Sequence, residues 1–397
     1  MVKLVALLCS FGLGVCFSLL GAISVKLMPR LKIDQAKFGT LVTGFMSSCL
    51  VASLLMGVIT DRLGYRPVAV FGFAMAAVSI LLLAHSKSYA AVFGSCLLFG
   101  FGAMALNTAA NTLIPRVLFE GKNLSAASNL GNVAFGVGLL LAPLLVSYLF
   151  RRISYESTVS ALAALIALPV GFALLASYPE IPAAFDFSRA RAMLAEPAVL
   201  VAGLALFCYA ALDVSFSNWL PAFGKEVITA TRPGVDPGAA DASAQRLISV
   251  YAVSLICGRL IASLVPMLAE MLKARGDWFI AGASVVAAAL IAWMALTRRA
   301  GLAWALVFVV GLATAPFFPT IVGVTFEKFS PEVYGTVFGI IFAGALLGGA
   351  TVPKTIGNLA RGSSIQKSMA LLAPLCLVLV VLAIVLGRLS SSYQGSP

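Results

Sequence analysis

Long apolar stretches separated by short polar breaks run through the whole 397-residue sequence. A helix needs about 20 mostly apolar residues to cross a bilayer, and a backbone in lipid must satisfy its own hydrogen bonds. Separating the runs at charged and turn-forming residues predicts twelve membrane-spanning helices, and hence an all-α membrane protein. The predicted spans are 4–27, 38–60, 67–86, 89–114, 126–149, 157–178, 197–223, 246–268, 277–297, 302–326, 335–356 and 366–387.

The composition excludes several classes of protein. Hydrophobic residues make up 61% and charged residues 11%, whereas soluble domains are about 45–50% apolar and about 25% charged. The sequence contains no Walker A loop, no G-x-S-x-G and no metal-type spacing of Cys and His, so we expect no enzyme activity, no cofactor and no metal. The net charge of +12 comes from scattered basic residues. That pattern suits membrane lipids rather than nucleic acid.

The longest polar interruptions indicate how the chain is organised. Residues 179–196 divide the predicted spans six and six, and a second interruption covers 224–245. We therefore predict an N-terminal half at 1–178, a central cytoplasmic linker at 179–196 and a C-terminal half with a short tail at 197–397. Two halves of similar size around a central site are typical of secondary transporters.

A compact charged motif lies between the second and third predicted spans. Its residues are Gly57, Asp61, Arg62, Gly64 and Arg66. This spacing resembles the loop signature of the major facilitator superfamily, G-x-x-x-D-R-x-G-R-R, and Tyr65 occupies the first of the two trailing basic positions. Asp61 can accept hydrogen bonds from the N-terminal amides of another helix, which suggests a gating latch; an ordinary solvated turn is the alternative. The resemblance implies a twelve-helix transporter in a bacterial inner membrane, with this loop and both termini in the cytoplasm.

Four further segments are similar to the fucose permease type of sugar transporter in that superfamily. They extend the resemblance over most of the chain, and it implies a sugar as the solute. The segments are Gly102–Asn111, Asn129–Gly138 followed by Pro143, Tyr209–Pro221 and Gly311–Thr320.

Two departures from that family concern energy coupling. The resemblance would place carboxylates in the first and fourth spans and a histidine in the fifth. Here the first span has no acid, Asn107 stands at the position of the fourth-span Glu, and Asn132 at that of the His. These neutral amides argue against proton symport.

Amide side chains within the predicted spans are candidate substrate ligands, because polar groups in hydrocarbon are costly unless they are paired. Asn107 and Asn111 share one helix face, as do Asn129 and Asn132. An amide both donates and accepts hydrogen bonds, as a sugar hydroxyl does. The alternative for both pairs is hydrogen bonding between helices of the bundle.

The seventh span supplies further candidates. Asn218 and Trp219 join the predicted substrate-binding set, because an indole can stack on the face of a sugar ring. Asp213 lies deep in this span, and Arg259 lies at a similar depth in the eighth. The two residues are either a static buried ion pair or a coupling or ligand site. If Arg259 keeps Asp213 ionised, the carboxylate cannot serve as a proton switch; if the solute competes for Arg259, Asp213 could instead be released to protonate. We expect weak or absent proton coupling.

Two lysines keep a second substrate class open. Lys354 is predicted near the outer part of the eleventh span, and Lys26 lies at a similar depth in the first. Both can reach the outer interface, or they can bind an anion together with Arg259. The sequence thus predicts a secondary-active or facilitative transporter of a small polar solute, most simply a sugar. The alternative is an organic-anion carrier of the carboxylate type with the same fold. Transport proceeds by alternating access, with or without a coupling ion.

Overall fold

The computed structural model describes residues 1–180, 187–232, 234 and 236–389. All regular secondary structure in these residues is helical. Twelve helical segments are long and apolar enough to cross a membrane. The prediction of an all-α membrane protein with twelve transmembrane helices is confirmed.

The helices group into two compact units, the first of which contains Met1–Lys122, Gly131–Leu194 and Ser330–Ile340. One of its spans, Tyr155–Leu175, consists of two consecutive helices. The helices of this unit are α1 (Val2–Leu31), α2 (Gln35–Leu63), α3 (Tyr65–His85), α4 (Tyr89–Val117), most of α5 (Leu124–Phe150), α6 (Tyr155–Ala167), α7 (Pro169–Leu175) and the short α8 (Phe187–Met193).

The second unit contains Asn123–Leu130, Ala195–Phe329 and Ile341–Pro397. Its helices are α9 (Pro197–Thr231), α10 (Pro237–Leu264), α11 (Pro266–Leu296), α12 (Ala300–Thr314), α13 (Phe317–Phe326), most of α14 (Tyr334–Ala360), α15 (Ile365–Ser368) and α16 (Leu372–Arg388). The start of α5 therefore groups with the second unit and the start of α14 with the first. The predicted division at 179–196 stays a prediction, and residues 181–186 of that linker lie outside the described residues.

Several helices begin at residues that satisfy the free N–H groups of the first turn. The Asp34 carboxylate accepts from the backbone N–H of Lys37 at the start of α2. Ser88 and Ser154 do the same for α4 and α6. Such side-chain caps stabilise a helix by about 1 kcal/mol each. They fix the point at which each polar connection ends and the apolar span begins.

Small residues allow the helices of each unit to pack closely. In the first unit, a Cβ on Gly102 would lie 2.5 Å from the backbone nitrogen of Ala76. A Cβ on Gly14 would overlap the backbone of α5 at Phe135. Close backbone approach through small residues is the usual way in which membrane helices associate, because lipid supplies no hydrophobic driving force between them.

Several helix boundaries differ from the predicted spans. Helix α9 continues to Thr231, beyond the predicted end at 223 and into the predicted interruption 224–245. The tenth span is broken between α12 and α13, where Pro316 and Pro319 remove backbone N–H groups. Helix α10 begins at Pro237, inside the predicted interruption 224–245. Helix α11 begins at Pro266 and is kinked at Arg275, so it includes residues before the ninth predicted span. Hydropathy detects the part of a helix that lies in lipid, and these helices extend beyond that part.

Candidate functional site

Asp61 lies at the end of α2 and contacts the first turn of α14 within the first unit. Its carboxylate accepts hydrogen bonds from the backbone N–H groups of Gly335 at 2.7 Å and Thr336 at 2.6 Å. The first N–H groups of a helix have no partner inside the helix, and the helix dipole favours an anion there. Asp61 is 5% exposed, so little water competes for the contact. Its role as a gating latch stays a prediction.

Two glycines bring α2 and α14 together at this contact. A Cβ on Gly57 would overlap the carbonyl oxygen of Gly335, and a Cβ on Gly335 would overlap that of Gly57. One turn further along α14, a Cβ on Gly339 would overlap the carbonyl oxygen of Ser53. The Asp61 carboxylate reaches the α14 amides because no side chain separates the two backbones.

The loop after Asp61 turns sharply into α3. Gly64 has φ +87°, a conformation that side chains disfavour. Tyr65, which occupies a basic position of the family motif, is buried. Its hydroxyl accepts a hydrogen bond of 3.0 Å from Nη1 of Arg116, at the end of α4. The guanidinium of Arg116, on α4, therefore lies beside Tyr65, where the family motif has a basic residue.

The two arginines of the motif have different environments. Nη2 of Arg66 donates to the carbonyl of Ala176 at 3.0 Å, just beyond the end of α7. Its guanidinium carbon lies 5.9 Å from the ring centroid of Tyr178. Burial raises the pKa of Tyr178 to about 12, so the phenol stays protonated and donates to a backbone carbonyl. Arg62 is exposed.

Asn107 and Asn111 lie side by side on α4 and are 1% and 7% exposed. Nδ2 of Asn111 donates to Oδ1 of Asn107 at 2.8 Å and to the carbonyl of Asn107 at 3.0 Å. Nδ2 of Asn107 contacts the sulfur of Met104 at 3.8 Å. Because a thioether is a weak acceptor, the Asn107 amide keeps the capacity to donate to a better one.

Asn129 and Asn132, the candidate pair of the fifth predicted span, belong to different units. Asn129 is fully buried in the second unit, where Nδ2 donates to the carbonyl of Ser125 at 2.9 Å and to the hydroxyl of Thr320 on α13 at 3.4 Å. This geometry fits the helix–helix alternative. Asn132 is buried and belongs to the first unit. A substrate contact stays a prediction for both residues.

The second unit buries a network of charged and phenolic groups. The hydroxyl of Tyr251 on α10 donates to Oδ1 of Asp213 on α9 at 3.0 Å. Nη2 of Arg259 donates to the hydroxyl of Tyr209 at 3.2 Å, and its Nε donates to the carbonyl of Ala315 at 3.2 Å. The surroundings of the predicted Asp213–Arg259 pair thus include two tyrosines and a backbone carbonyl. A coupling role stays a prediction.

Trp219 is half-buried and anchors α9 against α14 within the second unit. Its indole N–H donates to the carbonyl of Pro353 at 2.9 Å, and a Cβ on Gly357 would lie 2.8 Å from the ring. Asn218 and Lys354 are exposed. The indole therefore has a structural contact in addition to its predicted role in substrate binding.

Lys26 has partners within the first unit. Its Nζ donates to the carbonyl of Phe150 at 2.8 Å and lies 4.4 Å from the centroid of that ring. One turn later, Arg30 forms an ion pair of 3.0 Å with Glu156. Lys26 therefore holds α1 to the end of α5, as expected for a basic side chain near an interface.

The sequence prediction missed three residues: Tyr209, Tyr251 and Arg116. Tyr209 lies four residues before Asp213, and Tyr251 lies eight before Arg259. Both spacings place the tyrosine on the same helix face as the charged residue. This spacing could have pointed to the two tyrosines as neighbours of the buried charges. It does not show that each tyrosine bonds to the charged residue of the other helix.

The described part of the chain contains no metal-type cluster. In residues 1–180, 187–232 and 236–389, no group of three or more His, Cys, Asp or Glu could hold a metal ion.

Comparison with known proteins identifies the family. The model of the Major Facilitator Superfamily matches residues 6–353. The human synaptic vesicular amine transporter is 22% identical over 362 residues, which cover 87% of this chain and 67% of that protein.

Two solved structures share the fold. The Escherichia coli fucose:proton symporter FucP has a TM-score of 0.76 at 18% identity, covering 97% of this chain and 98% of that one. The human organic anion transporter MFSD10 has a TM-score of 0.72 at 17% identity, covering 96% and 97%. The chain is therefore an integral multi-pass membrane transporter rather than an enzyme, and it belongs to the Major Facilitator Superfamily.

Proposed function

We propose that this transporter carries a small, neutral, hydroxyl-rich solute, a sugar or a polyol, by alternating access. We further propose that it lies in a bacterial inner membrane, with the junction of α2 and α3 at Gly64 and both termini in the cytoplasm. The observation that carries the substrate proposal is the buried Asn107–Asn111 pair on α4. It presents neutral groups that donate and accept, which match the hydroxyls of a sugar.

The charges of the spans support a neutral solute. The basic side chain of Lys26 is bonded within the first unit. In the second unit, Asp213 accepts from Tyr251 and Arg259 donates to Tyr209 and to Ala315. A charged solute would have to displace these hydrogen bonds, and leaving a buried polar group without a partner is costly. The fold shared with FucP, described as a fucose:proton symporter, agrees with this choice.

An organic anion is the second candidate. Lys354 is exposed and lies next to Pro353, whose carbonyl binds the Trp219 indole. The human structural relative is described as an organic anion transporter. The three basic residues predicted to bind an anion are Lys26, Arg259 and Lys354. Among these described residues, only Lys354 has an exposed side chain, so it would supply the single positive charge that recognises the anion.

A thermal-shift screen of the purified full-length protein separates these candidates. A solute that binds the folded state raises the apparent melting temperature. The panel contains neutral monosaccharides, polyols, carboxylates and organic amines, the last because a relative is an amine transporter. We expect stabilisation by sugars or polyols. Stabilisation by carboxylates alone or amines alone would overturn the proposal.

Counterflow tests transport itself. Proteoliposomes loaded with unlabelled solute should accumulate labelled solute from outside, because a carrier exchanges one for the other without net flux. Binding without counterflow would indicate a receptor instead of a carrier. Saturable counterflow of a sugar, competed by other sugars and not by carboxylates, is the expected outcome.

A further inference from the structure

The break between α12 and α13 leaves a backbone carbonyl that the helix cannot satisfy. In a continuous helix, the carbonyl of Ala315 would accept from the N–H of residue 319, but that residue is proline. Nε of Arg259 donates to this carbonyl at 3.2 Å. Arg259 is 4% exposed. A buried guanidinium therefore stands in for the N–H that Pro319 lacks.

The residue before Arg259 allows α10 to approach this break. A Cβ on Gly258 would lie 2.5 Å from Cβ of Ala315 and 2.8 Å from the carbonyl oxygen of Leu312. The Leu312 carbonyl is the other acceptor that loses its helical donor, because residue 316 is also proline. Glycine removes the obstruction, and the next side chain reaches the carbonyl.

A third helix fixes the guanidinium. The Tyr209 hydroxyl on α9 accepts from Nη2 of Arg259 at 3.2 Å. The ring centroid of Tyr209 lies 6.0 Å from that of Phe318, in the first turn of α13. Arg259 thus contacts the break directly at Ala315 and reaches the first turn of α13 through Tyr209. One turn further along α9, Asp213 supplies the opposite charge that favours a buried cation.

We propose that Arg259 is a positioning residue that fixes the backbone at the break between α12 and α13, by donating the hydrogen bond that Pro319 removes from the helix. Irregular backbone at membrane depth persists where neighbouring groups satisfy it again. This role differs from the roles of anion ligand and proton-coupling partner, and it does not depend on the identity of the solute.

A double-mutant cycle tests the proposal in the full-length protein. Arg259→Met removes every donor, and we expect it to lower the melting temperature in the wild-type background. Pro319→Ala restores the missing N–H, so in that background the loss should be smaller by half or more. Arg259→Lys keeps one donor and should lose less than Arg259→Met. Pro143→Ala, in α5 of the first unit, is the matched control and should leave the Arg259→Met loss unchanged.

Equal losses in the wild-type and Pro319→Ala backgrounds would overturn the proposal. If Arg259→Met does not fold in the wild-type background, recovery of folded protein by Pro319→Ala, and not by Pro143→Ala, supports it. Failure of both prolines to recover folded protein argues against it. These measurements contain no solute, so they fail or succeed independently of the proposed function.

Hydrogen exchange gives a local readout. Arg259→Lys should increase backbone exchange around residues 312–320, and adding Pro319→Ala should reverse the increase. Counterflow of the labelled sugar should recover in the Arg259→Met, Pro319→Ala double variant. A ligand or coupling role would predict no recovery, because Pro319→Ala supplies neither a charge nor a solute contact.

Discussion

At the scale of single residues, the Asn107–Asn111 pair offers the most direct test of solute binding. The Asn111 amide donates twice to Asn107 and orients its carboxamide. If the pair binds solute hydroxyls, Asn111→Ala should weaken binding by about 1–3 kcal/mol, because a buried polar group loses its partner. Affinity is measured by the thermal-shift titration or by isothermal calorimetry.

The exposed Asn358 on α14 provides the control, because Asn358→Ala deletes the same group away from α4. That variant should bind as the wild type does. Unchanged affinity in Asn111→Ala, together with a lowered melting temperature, would assign the pair to helix–helix contact instead.

A second prediction concerns a carboxyl group just beyond α13. Glu327 is exposed, but the protein around it partly desolvates the carboxyl group and raises its pKa from 4.5 to about 7. Asp277 makes a smaller contribution in the same direction, and Lys328 and Lys273 oppose the shift. The folded protein then binds a proton that the unfolded chain has released, so stability falls as the pH rises from about 5 to about 7. Glu327→Gln should make the melting temperature less dependent on pH in that window.

The residue next to Glu327, Lys328, is partly buried. Nζ of Lys328 donates to the carbonyl of Leu389 at 2.7 Å, just beyond α16, and burial lowers its pKa. Glu270→Gln, on α11 of the same unit, removes the same type of charge elsewhere and is the control. An identical change of the pH profile in both variants would contradict the assignment to Glu327.

Predictability at this scale depends on whether the partners share a helix. Asn107 and Asn111 are four residues apart, so their shared face follows from helix geometry. Asp213 and Tyr251 are 38 residues apart on two helices. The sequence does not show which helices are neighbours or how each is rotated, so that hydrogen bond could not be foreseen. Pro319 marks the Ala315 carbonyl as an acceptor without a helical donor, but the sequence does not show that Arg259 on another helix reaches it.

At the scale of helices, the twelve spans followed from the length of the apolar runs, because the thickness of a bilayer fixes that length. The ends of the helices could not be predicted from the length of the apolar runs. Helix α10 begins in polar sequence at Pro237, whereas α11 begins at Pro266, inside the apolar run predicted as the eighth span, 246–268. Proline suits the first turn of a helix at both positions. The break after Thr314 was signalled by Pro316 and Pro319, but the surrounding residues are apolar enough to read as one span.

The contact between α2 and α14 predicts a conformational effect. In Asp61→Asn, the new NH₂ group would face an N–H of α14 and lose one of the two hydrogen bonds. The closed contact should weaken and shift the balance between the states of the transport cycle. Transport should fall while the solute still binds, as measured by counterflow and thermal shift on the same preparation.

Asp34 at the other end of α2 supplies the matched control. It caps the helix through the backbone N–H of Lys37, and Asn is an equally good capping residue. Asp34→Asn should therefore transport normally. Undiminished uptake in Asp61→Asn, with normal expression, would remove the latch assignment.

At the scale of the whole molecule, the question is how transport is driven. A proton symporter needs a group in the membrane that gains and loses a proton as the site alternates. The first, fourth and fifth spans contain no acid, and Asp213 is bonded to Tyr251 near the Arg259 guanidinium. We expect uptake into proteoliposomes to be little affected by an imposed pH gradient.

Asp213→Asn completes that experiment. If the carboxylate has a static role, the variant should show the same weak dependence on the gradient as the wild type, with reduced stability. Concentrative uptake driven by the gradient in the wild type, and its loss in Asp213→Asn, would show that Asp213 couples transport to protons.

The paired glycines where α2 meets α14 also limit how this lineage can diverge. Each lacks the one carbon atom that would strike the carbonyl of the other, so neither position can accept a methyl group while its partner stays in place. Homologues that keep the Asp61 contact should therefore retain Gly57 and Gly335 together. In lineages that have lost one of them, selection on the other is relaxed, and the two positions should vary jointly across the family tree.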